Sequence, residues 1–146
     1  YVNEYEGINS RTDEIQAAAL RVKLPRLDID NEHRRQIARK YMNGIKNPMI
    51  ILPLWPQDDQ ECVWHLFPIR CAERDSLQKY LSEAGVQTLI HYPIAPHKQE
   101  ALKHLEHGPL PLTQRIHEEE LSLPISPIMT EDDAEFVINL LNKFVK

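Results

Sequence analysis

The sequence predicts an α+β fold, a small, mostly antiparallel sheet with helices packed on one face. Three observations predict it. Apolar residues recur at helical spacing in separate segments, such as Leu77, Tyr80, Leu81 and Ala84, and again Ala134, Val137, Ile138, Leu141 and Phe144. Short extended apolar runs, MIILPLW, CVWHLFPIR and VQTLIHY, lie between the helical segments. The helices are also too unevenly placed for a wound parallel sheet.

Each element has its own signal. A first helix spans 11–24, with Ile15, Ala18, Ala19 and Val22 on one face. Ser10 and Asp13 approximate a capping box, and Pro25 stops the helix. A second helix runs over about 29–43, capped by Asp28 or Asp30 and ended by Gly44. Its Arg34, Arg35, Arg39 and Lys40 read as a solvated face. Residues 49–55 are extended and broken by Pro53. Residues 62–70 form a strand that Pro68 marks as an edge or a bulge. The helix over 73–84 closes on Gly85, and 86–92 is a strand. Residues 94–105 start with proline-locked geometry and pass into a short helix. Residues 110–122 form another helix, and 121–129 are extended. The last helix opens at Thr130, with Asp133 completing the cap.

Composition narrows the function classes. A chain of 146 residues fits one ordinary domain with a core of its own. A net charge of −5 gives no overall basic face, so no nucleic-acid partner is expected. The 11 prolines fall mostly between periodic segments and act as stiff connections. Cys62 and Cys71 match no zinc spacing and no secreted disulfide framework, so they read as free thiols in a reducing cytoplasm. No apolar run has the length of a membrane span. The chain opens on YVNEYEGINS and its first Met is Met42 inside a helical pattern, so the expectation is a piece of a longer protein.

Few stretches carry chemistry. Asn9, Ser10 and Arg11 stand at the predicted helix start, where free N–H groups, an amide and a guanidinium suit a phosphate or a carboxylate. A plain N-cap with an exposed arginine satisfies the same residues, and the local sequence favours it. In HYPIAPH, His91 and Tyr92 end a strand and two prolines stiffen the path to His97. Such a turn can preorganise a ligand contact, or the side chains can simply cap the strand and face solvent. His65, within CVWHLF, reads as a core or interface residue, and Glu118 to Glu120 as a solvated helix face. His104 and His107 lie on a charged, poorly patterned stretch, and no metal site is expected. There is no Gly-rich phosphate loop, no G-x-S-x-G, no H-E-x-x-H and no paired CxxC.

Taken in order, GINSRTDEIQAAALRVKL, NEHRRQIARKY, VWHLFPIR, ERDSLQKYLSEAGVQTLIHYPIAPHKQ and ELSLPISPIMTEDDAEFVINLL resemble the C-terminal part of the DegT/StrS sugar aminotransferases. These are pyridoxal-phosphate enzymes of the aspartate aminotransferase fold type, fold-type I. The resemblance implies a parent more than twice as long, in which a missing N-terminal large domain carries the cofactor on a lysine. No catalytic residue is then expected in this chain, which should be inactive alone. It implies that residues 1–27 end the large domain and form an interdomain helix, and that 28–146 are the small domain. In the family's homodimer the Asn of G-x-N-x-R, here Asn9, reaches the cofactor phosphate held by the partner subunit. Arg11 would lie near the nucleotide-sugar substrate, and His91, Tyr92 and His97 would line the sugar pocket. The implied reaction moves an amino group, usually from glutamate, to a keto-deoxysugar nucleotide in cell-surface polysaccharide or deoxysugar biosynthesis. Two alternatives stay open here: a related sugar dehydratase in which the lysine is replaced, and a binding module without cofactor. The absent initiator and the apolar face over residues 15–22 argue against the second.

Overall fold

A computed structural model describes residues 13–105 and 108–145. In chain order these are α1 (Glu14–Lys23), a 3-10 turn (Leu24–Arg26), α2 (Leu27–Gly44), β1 (Ile50–Ile51), a 3-10 turn (Asp59–Glu61), β2 (Phe67–Cys71) and α3 (Arg74–Glu83). Two 3-10 turns (Pro96–Lys98 and Glu100–Leu102), α4 (Pro111–Glu119), β3 (Glu120–Leu123) and α5 (Glu131–Lys143) follow. The sheet is three-stranded and antiparallel, in the order β1-β2-β3. Helices α3 and α4 contact its strands, and α2 packs against α5. The expected α+β class therefore holds.

The core forms where the sheet meets α2, α3 and α5. Tyr41, Phe67, Ile37, Ile69, Leu77, Leu81, Leu121 and Leu141 are all fully buried. Tyr41 also donates its hydroxyl to the Pro124 carbonyl at 2.7 Å, which satisfies its one polar atom. Burial holds that phenol well above its ordinary pKa. Asn47 ties α2 to the end of α5: its Nδ2 donates to the Leu141 and Phe144 carbonyls, each at 2.7 Å.

Several elements depart from the sequence-based expectation. The cap of α1 is Asp13 rather than Ser10. The Asp13 carboxylate accepts the Gln16 N–H at 2.7 Å, and the Gln16 side chain accepts the Asp13 N–H in return. Pro25 sits in the 3-10 turn after α1, and α2 starts at Leu27 with no side-chain cap, so Asp28 and Asp30 lie in its first turn. There their charges complement the helix dipole. Gly44 does not end α2 through a left-handed cap. A Cβ on it would lie 2.8 Å from Ile138 Cδ1, so this glycine lets α2 approach α5 closely. Gly85 does take the left-handed conformation expected of it (φ 84°), and Thr130 with Asp133 forms the expected capping box of α5.

The strands are shorter than expected. Beta-strand β2 starts only at Phe67, because Trp64 adopts a left-handed backbone (φ 49°) that breaks the extension. Pro68 sits in the middle strand, but β1 pairs only with Arg70 and Cys71, so β2 has no partner on that side at Pro68. Residues 86–92 make a single bridge, Leu89 to Ser122, instead of a full strand. The helix expected over 94–105 is two 3-10 turns, and α4 stops at Glu119 because β3 begins at the next residue.

Burial also corrects two expectations, for Arg35 and His65, and bears out the exposed apolar face of α1. Arg35 is buried, not solvated: its Nε donates to the Asp59 carbonyl at 2.9 Å and its Nη2 to Gln60 Oε1 at 3.1 Å, which anchors the 58–62 loop on α2. His65 is exposed rather than part of the core. The apolar residues of α1 remain in solvent, with Ile15 83% and Val22 77% exposed. Among the described residues, no helix is long and apolar enough to cross a membrane.

Candidate functional site

The site is built where α4 runs directly into β3. Residues 86–90 run beside β3 and bridge to it at Ser122: Leu89 and Ser122 exchange N–H···O bonds of 3.3 and 2.8 Å. The chain then leaves the sheet at His91 and Tyr92. A buried carboxylate holds this departure point. Glu120 Oε2 accepts the His91 backbone N–H at 2.7 Å, and Glu120 Oε1 accepts the Ser122 hydroxyl at 2.6 Å. Ser122 Oγ lies 2.9 Å from His91 Nδ1. The Tyr92 carbonyl is fixed from the other side by His117 Nδ1 at 2.6 Å, a contact in which it accepts.

The neighbouring Glu119 is buried as well, against the expectation of a solvated triplet from Glu118 to Glu120; of the three, only Glu118 is exposed. The helix-to-strand junction turns the other two inward. Arg70 on β2 donates to Glu119 Oε2 from Nε (3.0 Å) and Nη2 (2.7 Å), and Arg115 on α4 donates to Oε1 at 2.7 Å. The hydrogen bond from Arg115 and then that from Arg70 hold the Glu119 carboxyl below its ordinary range, although burial opposes them. Arg74 Nη1 adds a bond to the His117 carbonyl near the end of α4, at 3.2 Å.

This pairing has a pH signature. A carboxyl held low in the folded state adds stability that is complete above its unfolded pKa, about 4.3, and is lost as pH falls through the lowered folded value. Glu119→Gln is therefore expected to be less stable than the parent at neutral pH, with the gap closing in acid. Denaturant unfolding followed from neutral pH downward checks this, and a gap independent of pH would contradict it.

The structure brings His91 and Tyr92 together, with rings 5.4 Å apart and nearly perpendicular. His91 is half-buried and Tyr92 is exposed. His97 stands half-buried on the Pro96–Lys98 turn that follows. Asn9, Ser10 and Arg11 lie outside the described residues. Sequence reasoning missed Glu119, Glu120, Ser122 and Arg70. The one available signal is the alternation of ELSL, which puts Glu120 and Ser122 on one side of a strand and Leu121 and Leu123 on the other.

The chemistry of this corner is that of a polar binding wall. It offers an imidazole and a phenol on a turn that a buried carboxylate keeps in place. Of the cluster's guanidiniums, Arg70 and Arg115 pair with Glu119 and Arg74 pairs with Asp75, so the corner suits neutral hydroxyl groups better than a phosphate. Among the described residues, no group of three or more His, Cys, Asp or Glu side chains is placed to hold a metal ion.

Over residues 1–142 the chain matches the sequence model of the DegT/DnrJ/EryC1/StrS aminotransferase family. The chain belongs to this family. Among its relatives within it is the dTDP-3-amino-3,6-dideoxy-alpha-D-galactopyranose transaminase of Aneurinibacillus thermoaerophilus, 49% identical over 144 residues, which are 99% of this chain and 39% of that protein. The dTDP-3-amino-3,4,6-trideoxy-alpha-D-glucose transaminase of Streptomyces venezuelae is 38% identical over the whole chain and 39% of its own length. The fold matches that of S. venezuelae DesV, solved in complex with a ketimine intermediate, with a TM-score of 0.83, 38% identity, and coverage of 100% of this chain and 41% of that one. NtdA from Bacillus subtilis, solved with bound cofactor PMP, matches with a TM-score of 0.77 and 31% identity over 92% of this chain and 33% of that one. This DegT-family chain thus spans about 39% of the length of the curated relatives it matches.

Proposed function

We propose that the chain is the C-terminal part of a pyridoxal-phosphate-dependent aminotransferase that moves an amino group from glutamate to the keto group of a deoxysugar nucleotide. The observation that carries this is the 49% identity, along 99% of the chain, to a relative named as a dTDP-amino-sugar transaminase. Residues 1–27 close the large domain and lead out of it, and 28–146 form the small domain. The solvent-facing apolar residues of α1, Ile15, Leu20 and Val22, fit an element that packs against the rest of a longer protein. The parent acts in the cytoplasm as a homodimer, in deoxysugar or cell-surface polysaccharide biosynthesis.

The described residues of the corner make no cradle for the cofactor itself, since its arginines are already paired, Arg70 and Arg115 with Glu119 and Arg74 with Asp75. When bound, pyridoxal phosphate supplies an electron sink for moving the amino group, and its lysine belongs to the large domain. This chain contributes binding. Asn9 donates its side-chain amide to the cofactor phosphate of the partner subunit, and Arg11 lies toward the nucleotide. His91, Tyr92 and His97 face the sugar, and the turn that Glu120 secures keeps the first two in register with it.

The test uses the full-length protein with pyridoxal phosphate, glutamate and a dTDP-linked 3-keto-6-deoxyhexose. Formation of an aminated nucleotide sugar together with 2-oxoglutarate is expected, read by mass spectrometry. Consumption of the sugar nucleotide without nitrogen gain would overturn the reading in favour of dehydration. No reaction of any tested keto-sugar in a cofactor-loaded protein would also count against it.

A further inference from the structure

Glu120 and Ser122 stand two residues apart on one side of β3, and both reach His91. An ionised carboxylate only accepts hydrogen bonds. The Ser122 hydroxyl therefore gives its single proton to Glu120 Oε1. Only lone pairs remain on Ser122 Oγ for its second contact, the one to His91 Nδ1. His91 must then carry its proton on Nδ1. A neutral imidazole in that tautomer has a bare lone pair on Nε2. No hydrogen-bond partner meets Nε2 among the described residues, because the contacts of His91 go through its backbone N–H, its Nδ1 and its ring edge. Glu120 and Ser122 are 5% and 4% exposed, so water competes little for these bonds.

We propose that Glu120 is a positioning residue. Acting through Ser122, it locks His91 in the Nδ1–H tautomer and so presents Nε2 as a hydrogen-bond acceptor to a hydroxyl group of the sugar substrate. The same carboxylate fixes ring and main chain together, because its second oxygen holds the His91 N–H. The tautomer follows from these hydrogen bonds with Glu120 as the carboxylate and the imidazole neutral. Its use toward a sugar rests on the proposed aminotransferase function.

Two substitutions break the relay differently. Ser122→Ala removes the link and lets the ring take the Nε2–H form that free histidine favours in water. Glu120→Gln keeps one carbonyl oxygen, which the fixed His91 N–H claims. The new amide then donates to Ser122 Oγ, the hydroxyl turns its proton to Nδ1, and the tautomer inverts. The readout is a long-range nitrogen–proton NMR correlation on the full-length protein, in mildly alkaline buffer. Histidine is isotopically labelled, and the His91 signal is assigned by its loss in His91→Gln.

The expected result is Nδ1–H at His91 in the unmodified protein and Nε2–H in both variants. With it, kcat/KM for the keto-sugar falls about three- to tenfold in each variant, the worth of one ordinary hydrogen bond. The half-reaction with glutamate, which has no sugar hydroxyl, keeps its rate. An Nε2–H signal in the unmodified protein would overturn the proposal, and that measurement does not require either variant to fold. An inverted tautomer with unchanged keto-sugar kinetics would overturn the acceptor role. Equal losses in both half-reactions would also overturn it, since they mark general damage to the fold. Failure of the unmodified protein to aminate any sugar would remove the substrate half of the proposal, while the tautomer measurement would still decide the relay.

Discussion

Phe67→Ala is expected to lower the unfolding free energy by about 3–5 kcal/mol, the usual cost of emptying an aromatic site in a core. Phe67 is fully buried at the head of β2, where it pairs across the sheet with Leu123. Its ring lies 5.0 Å from Tyr41 on α2 and 5.3 Å from Trp64, which in turn stacks on Trp55 at 5.0 Å. The side chain thus joins the sheet, α2 and the 55–66 loop in one aromatic cluster. Removing it also strips packing from the strand that carries Arg70, and with it one anchor of Glu119. Against a total stability of about 5–15 kcal/mol, typical of a domain, a loss of this size populates the unfolded state measurably. Urea unfolding followed by circular dichroism reads it. Phe136→Ala, at a half-exposed position on α5, serves as the comparison and is expected to cost under about 0.5 kcal/mol. Equal costs at the two positions would contradict the core assignment.

Asn9→Ala is expected to weaken pyridoxal-phosphate binding by the full-length protein about 10- to 100-fold, the range of a hydrogen bond to a charged group. A helix N-terminus could have supplied a positive dipole end for the phosphate. But α1 is capped by Asp13, whose carboxylate already accepts the Gln16 N–H and brings its own negative charge to that end. On the proposed function, in which Asn9 serves the partner subunit's cofactor, the loss is expected to be relieved in a mixed dimer in which a site receives an unmodified Asn9. Equilibrium dialysis against pyridoxal phosphate measures the affinity, and an unchanged value would remove Asn9 from the cofactor site.

The parts legible in the sequence were those determined by near neighbours. Gly85 after a helical stripe, and Thr130 three residues before Asp133, announced their caps because each interaction spans only a few residues. The apolar stripe of α5 announced its buried face for the same reason. The parts that were missed depend on distant partners. Arg35 looks like one of several surface cations until the 58–62 loop, more than 20 residues away, folds onto it. Glu120 sits in an acidic run on a helical pattern, and only the switch from α4 to β3 turns it inward toward His91, 29 residues back in the chain. Gly44 reads as a helix stop, and its role in admitting Ile138 shows only when α5 is packed against α2. His91 and Tyr92 were found as candidates from the strand end alone, but the carboxylate that positions them was not.

On the proposed function, the chain is part of an aminotransferase whose cofactor lysine lies outside residues 1–146. The most direct test is a borohydride trap. The full-length protein is loaded with pyridoxal phosphate, reduced, weighed intact and mapped by peptide. The expected result is one label per subunit, on a lysine upstream of the sequence that opens YVNEYEG, and none within residues 1–146. A stoichiometric label on a lysine of this chain, or no specific label anywhere, would contradict it.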